Sequence, residues 1–588
     1  MLRLAPGVEV ARIDANHWSV GIRGFGSRLA RSVLVLIDGR TVYTPLFAGT
    51  YWEVQDTLLE DVDRIEVIRG PGGTIWGPNA VNGVINIITR PARETHDYFG
   101  SVRAGNEEQG SVNSRYGGAN GRNVDYRVYG KAFTRSPSSH PDGRNFDDWR
   151  GTQGGFRLDW TAGKHDSVTV QGDLYGIRAG ERVTATTYDP PASPNVDGNA
   201  DLSGGNFMGR WTRTLTGGGD IQVQAYFDRT SRTELNVADY RNTYDIDLVS
   251  HIPIGARQTI AWGFGFRASS VNNPPIVSGL TFNPAKRTDT LDTGFFQDQL
   301  ALVPDHLAVI VGVKLLNTNF TGTLAEPSAR LLWTPTARQT LWAAFTHAVR
   351  TPSDVEEDFY LSGFSRILPN GVPQMARFNA NNNFAPEQMN GVEFGYRQQL
   401  GKIWMLDLSS FYNHYHDIED QEITGAVFPE DTPAPFHFLL PAQFRNGLRG
   451  YTKGFEIAPE VRPASFWRLR GSYSYLHMNL GRSPHSGDIG TFPFIVGASP
   501  HHQIVVLSSF DISPTVQADL TYRYVSSLLG IPSYSTGDAR LAWRFTRNFE
   551  LSVVGRNLLQ PRHPEYSGDP GTLVGIQRSG YLSVAWRR

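Results

Sequence analysis

Residues 64–90 read RIEVIRGPGGTIWGPNAVNGVINIITR. Five glycines, Gly70, Gly72, Gly73, Gly77 and Gly83, stand between the apolar runs 65–68 and 84–88. A glycine-rich turn after a strand can cradle phosphate, but only with a helix N-terminus behind the glycines. Here the chain returns to VNGVINIIT, which is β-rich and has no Lys-Ser/Thr element. The turn is therefore read as structural. Glycines accept positive φ and let two strands approach closely.

The texture around this stretch extends back to residue 1. VLVLI at Val33–Ile37 is a short, continuous apolar run of the kind buried on both faces. A compact α+β domain is expected over residues 1–92. Beyond it the pattern changes to strict alternation. In VDYRVYG, Val124, Tyr126 and Val128 face one way and Asp125 and Arg127 the other. WRLRGSYSY at 467–475 and QADLTYRYV at 517–525 repeat this, with aromatics on one face and Arg, Asp or Ser on the opposite face.

Alternation of that kind suits a soluble sandwich, which buries its apolar face, or a membrane barrel, which turns that face to lipid. The barrel is favoured by charged residues on the polar face and by aromatics near strand ends. Connections also alternate between short turns, such as 216–220, and long polar loops, expected at 190–205 and 357–384. No apolar stretch is long enough for a spanning helix. The 588 residues carry 55 Lys and Arg against 57 Asp and Glu, without the basic excess of a nucleic-acid binder. Cysteine is absent, which excludes disulfides, thiolate metal sites and a Cys nucleophile.

With the alternation and the glycine turn in view, the chain resembles TonB-dependent outer-membrane receptors. SVGIRGFGSR (19–28), VLVLIDGRTVY (33–43) and DVDRIEVIRGPGGTIWGPNAVNGVINIITR (61–90) are similar to the plug domain of that family. VRTPS (349–353), PEQMNGVEFGYR (386–397), SFYNHYHDI (410–418) and VVGRNLLQPRHPEY (553–566) are similar to its barrel. The resemblance implies a transmembrane β-barrel of about 22 antiparallel strands over residues 93–588. Its lumen would hold the small N-terminal α+β plug, residues 1–92. In the family a signal peptide, a TonB box and further plug residues precede the first match. By that comparison the chain begins within the plug, which is expected if its true start lies upstream, if it is a fragment, or if the gene is degraded.

The resemblance also implies roles. Arg23 and Arg69, each in an IRG triplet, would seat the plug against barrel-wall carboxylates that match Glu393 and Glu456. A guanidinium in a confined lumen can bind carboxylates bidentately. The alternative is solvated lumen charge without fixed partners. TPLFAGTYWEVQ (44–55) resembles the apical plug loop, and Phe47, Tyr51 and Trp52 could form an aromatic floor for a ligand. They could equally be a small apolar cluster. The expected function is import of a scarce solute, foremost a ferric siderophore, driven by TonB with ExbB and ExbD in the inner membrane. Cobalamin, another metal chelate or an oligosaccharide are alternatives, as is a non-transporting receptor or a degraded remnant. The expected protein is a monomer among outer-membrane lipids, with no enzymatic reaction, cofactor or resident metal. His414 and His416 share a strand face without a third ligand in the sequence, and the carboxylates 356–358 are read as a solvated loop.

Overall fold

The computed structural model describes residues 1–276, 279–566 and 573–588. Among them, 22 antiparallel strands close into one barrel. The ring begins with Asp97–Gly105 and is sealed where that strand pairs with Ser579–Arg587, Tyr581 opposite Gly105 and Arg587 opposite Phe99. Closure leaves no free sheet edge, which is the condition for strands to cross a bilayer.

Side-chain direction settles the choice between sandwich and barrel. In Val124–Arg135, Arg127 is 4% exposed and faces the lumen, while Val128 is 49% exposed on the outer surface. In Val516–Val525, Arg523 is buried and Leu520 and Tyr522 are exposed. The polar face points inward and the apolar face outward, opposite to a water-soluble sandwich. Turns at one end are short, as at 215–219 and 337–338, and the opposite end carries the long connections. One expectation is corrected there. Residues 190–205 are not mainly loop, because Asn195–Thr214 is a single strand paired with Asp166–Thr184. Its outer half alternates in the inverse sense, with Ala200 and Leu202 buried inward and Asn199 and Asp201 exposed outward, and its Gly, Asn and Asp content reads as loop in sequence. The loop 351–386 is likewise structured, with a short helix Asp354–Asp358 and a hairpin of Phe359–Ile367 with Pro373–Asn379.

The lumen holds a small domain built on a four-stranded sheet. Val33–Ile37 runs parallel to Gly83–Thr89, which pairs antiparallel with Val62–Arg69, and Arg40–Thr41 extends the other edge. A separate hairpin joins Val8–Arg12 to Trp18–Ile22. Val20, Ile22, Val33, Val35, Ile85 and Ile87 form its core. The glycine stretch connects two of these strands through a one-turn helix, Gly73–Trp76, with Gly70 and Gly77 at positive φ on either side. A Cβ at Gly70 would overlap Glu393 and Arg23, and one at Gly73 would overlap the Glu326 carboxylate. The glycines are needed because this turn lies directly against the barrel wall.

Candidate functional site

Glu393 and Glu456 project inward from two strands, Glu387–Leu400 and His437–Ala464, that flank Trp404–Ile423. Register places Phe411 opposite Glu393 and Ser409 opposite Glu456. These four side chains form one patch on the lumen wall. Arg23, 3% exposed at the end of a plug strand and at φ 54°, enters it. Its Nε donates to Glu456 Oε1 at 2.9 Å and its Nη1 to Glu393. Its guanidinium lies 4.0 Å from the centre of the Phe411 ring. Arg69 Nη1 donates to Glu456 Oε2 at 2.8 Å and Nη2 to Asp407 Oδ1 at 3.2 Å, while Ser409 Oγ donates to the same Glu456 oxygen at 2.6 Å. Burial by itself would lower the Arg23 pKa, but the two glutamates outweigh it and hold the group firmly charged.

Sequence reasoning missed Asp407, Ser409 and Phe411. Their signal was present in MLDLSSF, where alternate residues point into the lumen. It also missed that the seam runs around the plug. Barrel arginines reach plug acids, as Arg115 does to Asp61, Arg103 to Glu60 at 2.8 Å and Arg232 to Glu53 at 2.7 Å. Desolvation of such pairs cancels much of their Coulomb gain, so they fix position more than they add stability.

The three aromatics of the apical loop go to different places. Phe47 lies at the long-loop end, beside Leu46 and beneath the barrel loops. Tyr51, 6% exposed, packs toward Phe133, Trp149 and Ile177 of the wall, with the Arg232 guanidinium 3.6 Å over its ring. Trp52 packs against the plug's own core. A cavity of about 460 Å³ adjoins Thr44, Tyr51 and Gln55 and is walled by barrel residues that include Asp228 and Arg267. His414 Nδ1 lies 2.7 Å from His416 Nε2, and among the described residues no group of three or more His, Asp or Glu is placed to hold a metal ion.

The acidic run at 356–358 is not a solvated loop. Glu356, Glu357 and Asp358 are 2%, 5% and 7% exposed, in the helix Asp354–Asp358. A five-residue helix shows no periodicity in sequence, and its burial depends on arginines far away in the chain.

A closed wall with an apolar exterior, holding a folded domain ion-paired inside it, defines a plugged barrel of the outer-membrane class. The family comparisons agree. The TonB-dependent receptor plug domain matches residues 1–84, and the TonB-dependent receptor-like β-barrel matches residues 90–558. The chain belongs to the TonB-dependent receptors, and its place is the outer membrane. Short turns then face the periplasm and long loops the exterior.

Among its relatives is a probable TonB-dependent siderophore receptor, PirA, of Acinetobacter baumannii. It is 23% identical over 670 residues, covering 99% of this chain and 84% of the relative. An iron-regulated outer membrane virulence protein of Vibrio cholerae is 24% identical over 81% of this chain and 72% of its own length. A vitamin B12 transporter, BtuB, of Vibrio vulnificus is 34% identical over 115 residues, 19% of this chain and 18% of that protein. The crystal structure of the siderophore receptor PirA from Acinetobacter baumannii superposes with a TM-score of 0.79 at 17% identity, covering 99% of this chain and 95% of that one. That of the FrpB iron transporter from Neisseria meningitidis gives 0.77 at 13% identity, covering 100% and 95%. At such identities the likeness is one of fold.

Proposed function

We propose that this receptor imports a ferric siderophore, with TonB, ExbB and ExbD supplying the energy and no bond in the solute made or broken. The observation that carries the reading is the seam of Arg23 and Arg69 with Glu393, Glu456 and Asp407. It holds the plug in register by discrete ion pairs, alongside apolar contacts such as Tyr51 on Phe133 and Trp149, and such pairs can break and re-form as the plug is displaced and reseated. A relative named a probable siderophore receptor and one named iron-regulated, each aligned over most of the chain, support the choice of solute. We place the domain boundary near residue 92 and take the unit of function to be the monomer. Phe47 is the plug residue assigned to ligand contact, while Tyr51 and Trp52 anchor the base of its loop to the wall and to the plug core.

A knockout grown under iron limitation on a panel of ferric siderophores tests this. Loss of growth on one siderophore, restored by the full-length gene, is expected. The match to a vitamin B12 transporter makes cobalamin the second reading, and a growth defect confined to cobalamin-dependent medium would replace the first.

A further inference from the structure

We propose that the external helix Asp354–Asp358 is a latch, holding the loop 351–386 down on the plug apex until a solute displaces it. This rests on the importer reading, whose solute must reach Phe47 from outside.

The contacts come from both sides. The first N–H groups of a helix have no partner within the helix. Here two find theirs on the plug: Asp354 N donates to Pro45 O and Val355 N to Leu46 O, each at 3.1 Å. Plug Arg31 donates to Glu356 Oε1 at 3.4 Å and also pairs with Glu419 of the wall. From the barrel, Arg241 donates to Asp354 Oδ2 at 2.7 Å and Arg287 to Asp354 Oδ1 at 2.8 Å. Arg350 clamps Glu356 with bonds of 2.9 and 2.7 Å. Between these contacts lies an apolar seal. Leu46, 0% exposed, sits under Leu280, Phe282 and Phe359, with Val355 packed beside them. While the helix is docked, the plug apex is covered.

The same cluster is built to let go. The helix brings Asp354, Glu356, Glu357 and Asp358, and the wall adds Asp239, Asp289, Glu387 and Glu419. Four guanidiniums face them, those of Arg31, Arg241, Arg287 and Arg350. Crowded carboxylates repel one another when ionised. Glu357, although 5% exposed, makes no side-chain hydrogen bond or ion pair among the described residues. Docking is therefore held by geometry against an excess of like charge. Movement of the plug apex removes the two carbonyl partners and the Arg31 contact together.

The absence of cysteine makes the test clean, since an introduced thiol has no competitor. In the full-length protein in proteoliposomes, Val355→Cys should react slowly with a membrane-impermeant maleimide. Adding Arg31→Ala, or independently Glu356→Gln, should speed labelling about tenfold, the equivalent of one charge-assisted bond. Equal rates in all three proteins, each with an intact heat-modifiable barrel, would overturn the latch. A Leu46→Cys/Val355→Cys disulfide should block association of a ferric tris-catecholate probe, with reductant restoring it. Unchanged association in the oxidised form would also overturn the latch as a gate. If the probe binds no form, the siderophore reading fails for that chelate, while the labelling rates still decide the latch.

Discussion

Of the ion pairs that tie the plug to the barrel, two sets differ in what stands behind them. At mid-barrel, Arg23 and Arg69 meet Glu393, Glu456 and Asp407, which project from adjacent strands locked in register. At the external end, Arg31 meets Glu356 on a five-residue helix within a long loop. The chemistry is the same, guanidinium to carboxylate. The mid-barrel carboxylates cannot retreat without breaking a continuous ladder, whereas the helix can lift away on its loop. The first site sets where the plug rests, and the second suits a contact made and broken in each cycle.

The comparison is tested most severely at Arg23. Arg23→Ala strands Glu393 in the lumen and leaves Glu456 to Arg69 and Ser409, and breaking a buried pair costs about 3–5 kcal/mol. The plug should loosen, and passive conductance of small ions in a planar bilayer should rise well above that of the native protein. Gly70→Ala attacks the same seam through the backbone. A non-glycine residue held at φ 84° costs about 1–3 kcal/mol, before the overlap of its Cβ with Glu393 is counted. Arg69→Ala should be milder, about 1.5 kcal/mol at the low end for a charged hydrogen bond, because Arg23 and Ser409 still hold Glu456. Conductance should therefore rank Arg23→Ala, then Gly70→Ala, then Arg69→Ala. Native conductance in all three would show that the strand-borne seam does not seat the plug.

How far the two sites could be read in the sequence follows the same division. The strand-borne site was legible because alternation tells which side of the wall a residue faces, and Glu393 and Glu456 stand in strongly alternating segments. Even Asp407 and Ser409 could have been found by extending that rule one strand further. The loop-borne site was not legible. Asp354–Asp358 is too short for a helical period, and its partners Arg31, Arg241 and Arg287 lie 67 or more residues away in the chain. Its acids looked like solvent-facing charge, since only Arg350, which holds Glu356, is near them in the chain. The outer half of Asn195–Thr214 was missed for a related reason. Beyond the lipid a strand no longer needs an outward apolar face, and here Ala200 and Leu202 turn inward while Gly, Asn and Asp mask the alternation.

The finest distinction between the two sites is in their response to pH. Burial and the neighbouring charges of Asp358 and Glu356 push the Glu357 carboxyl up to about 8, against the opposing pull of Arg287 from the wall. Its usual value is 4.5, so between pH 4.5 and 8 the docked helix holds a proton that the released loop would lose. Docking is thus favoured at the acid end of that window and weakens as pH rises through it. Glu356 acts in the opposite sense. Burial would raise it, but Arg350 and Arg31 hold it down at about 2, so its contribution is intact above 4.5 and is lost only as pH falls below that. Labelling of Val355→Cys, corrected for the intrinsic pH dependence of the thiol with a free peptide, should speed up between pH 5.5 and 8. Asp358 is also pushed up, by burial and by Asp354 against the pull of Arg287, so Glu357→Gln should reduce that slope without abolishing it. Mid-barrel conductance should not follow the same curve, because Arg23 stays charged across the whole range. A labelling slope undiminished by Glu357→Gln would locate the titrating group elsewhere. A matching slope in conductance would mean that the two sites open together rather than in turn.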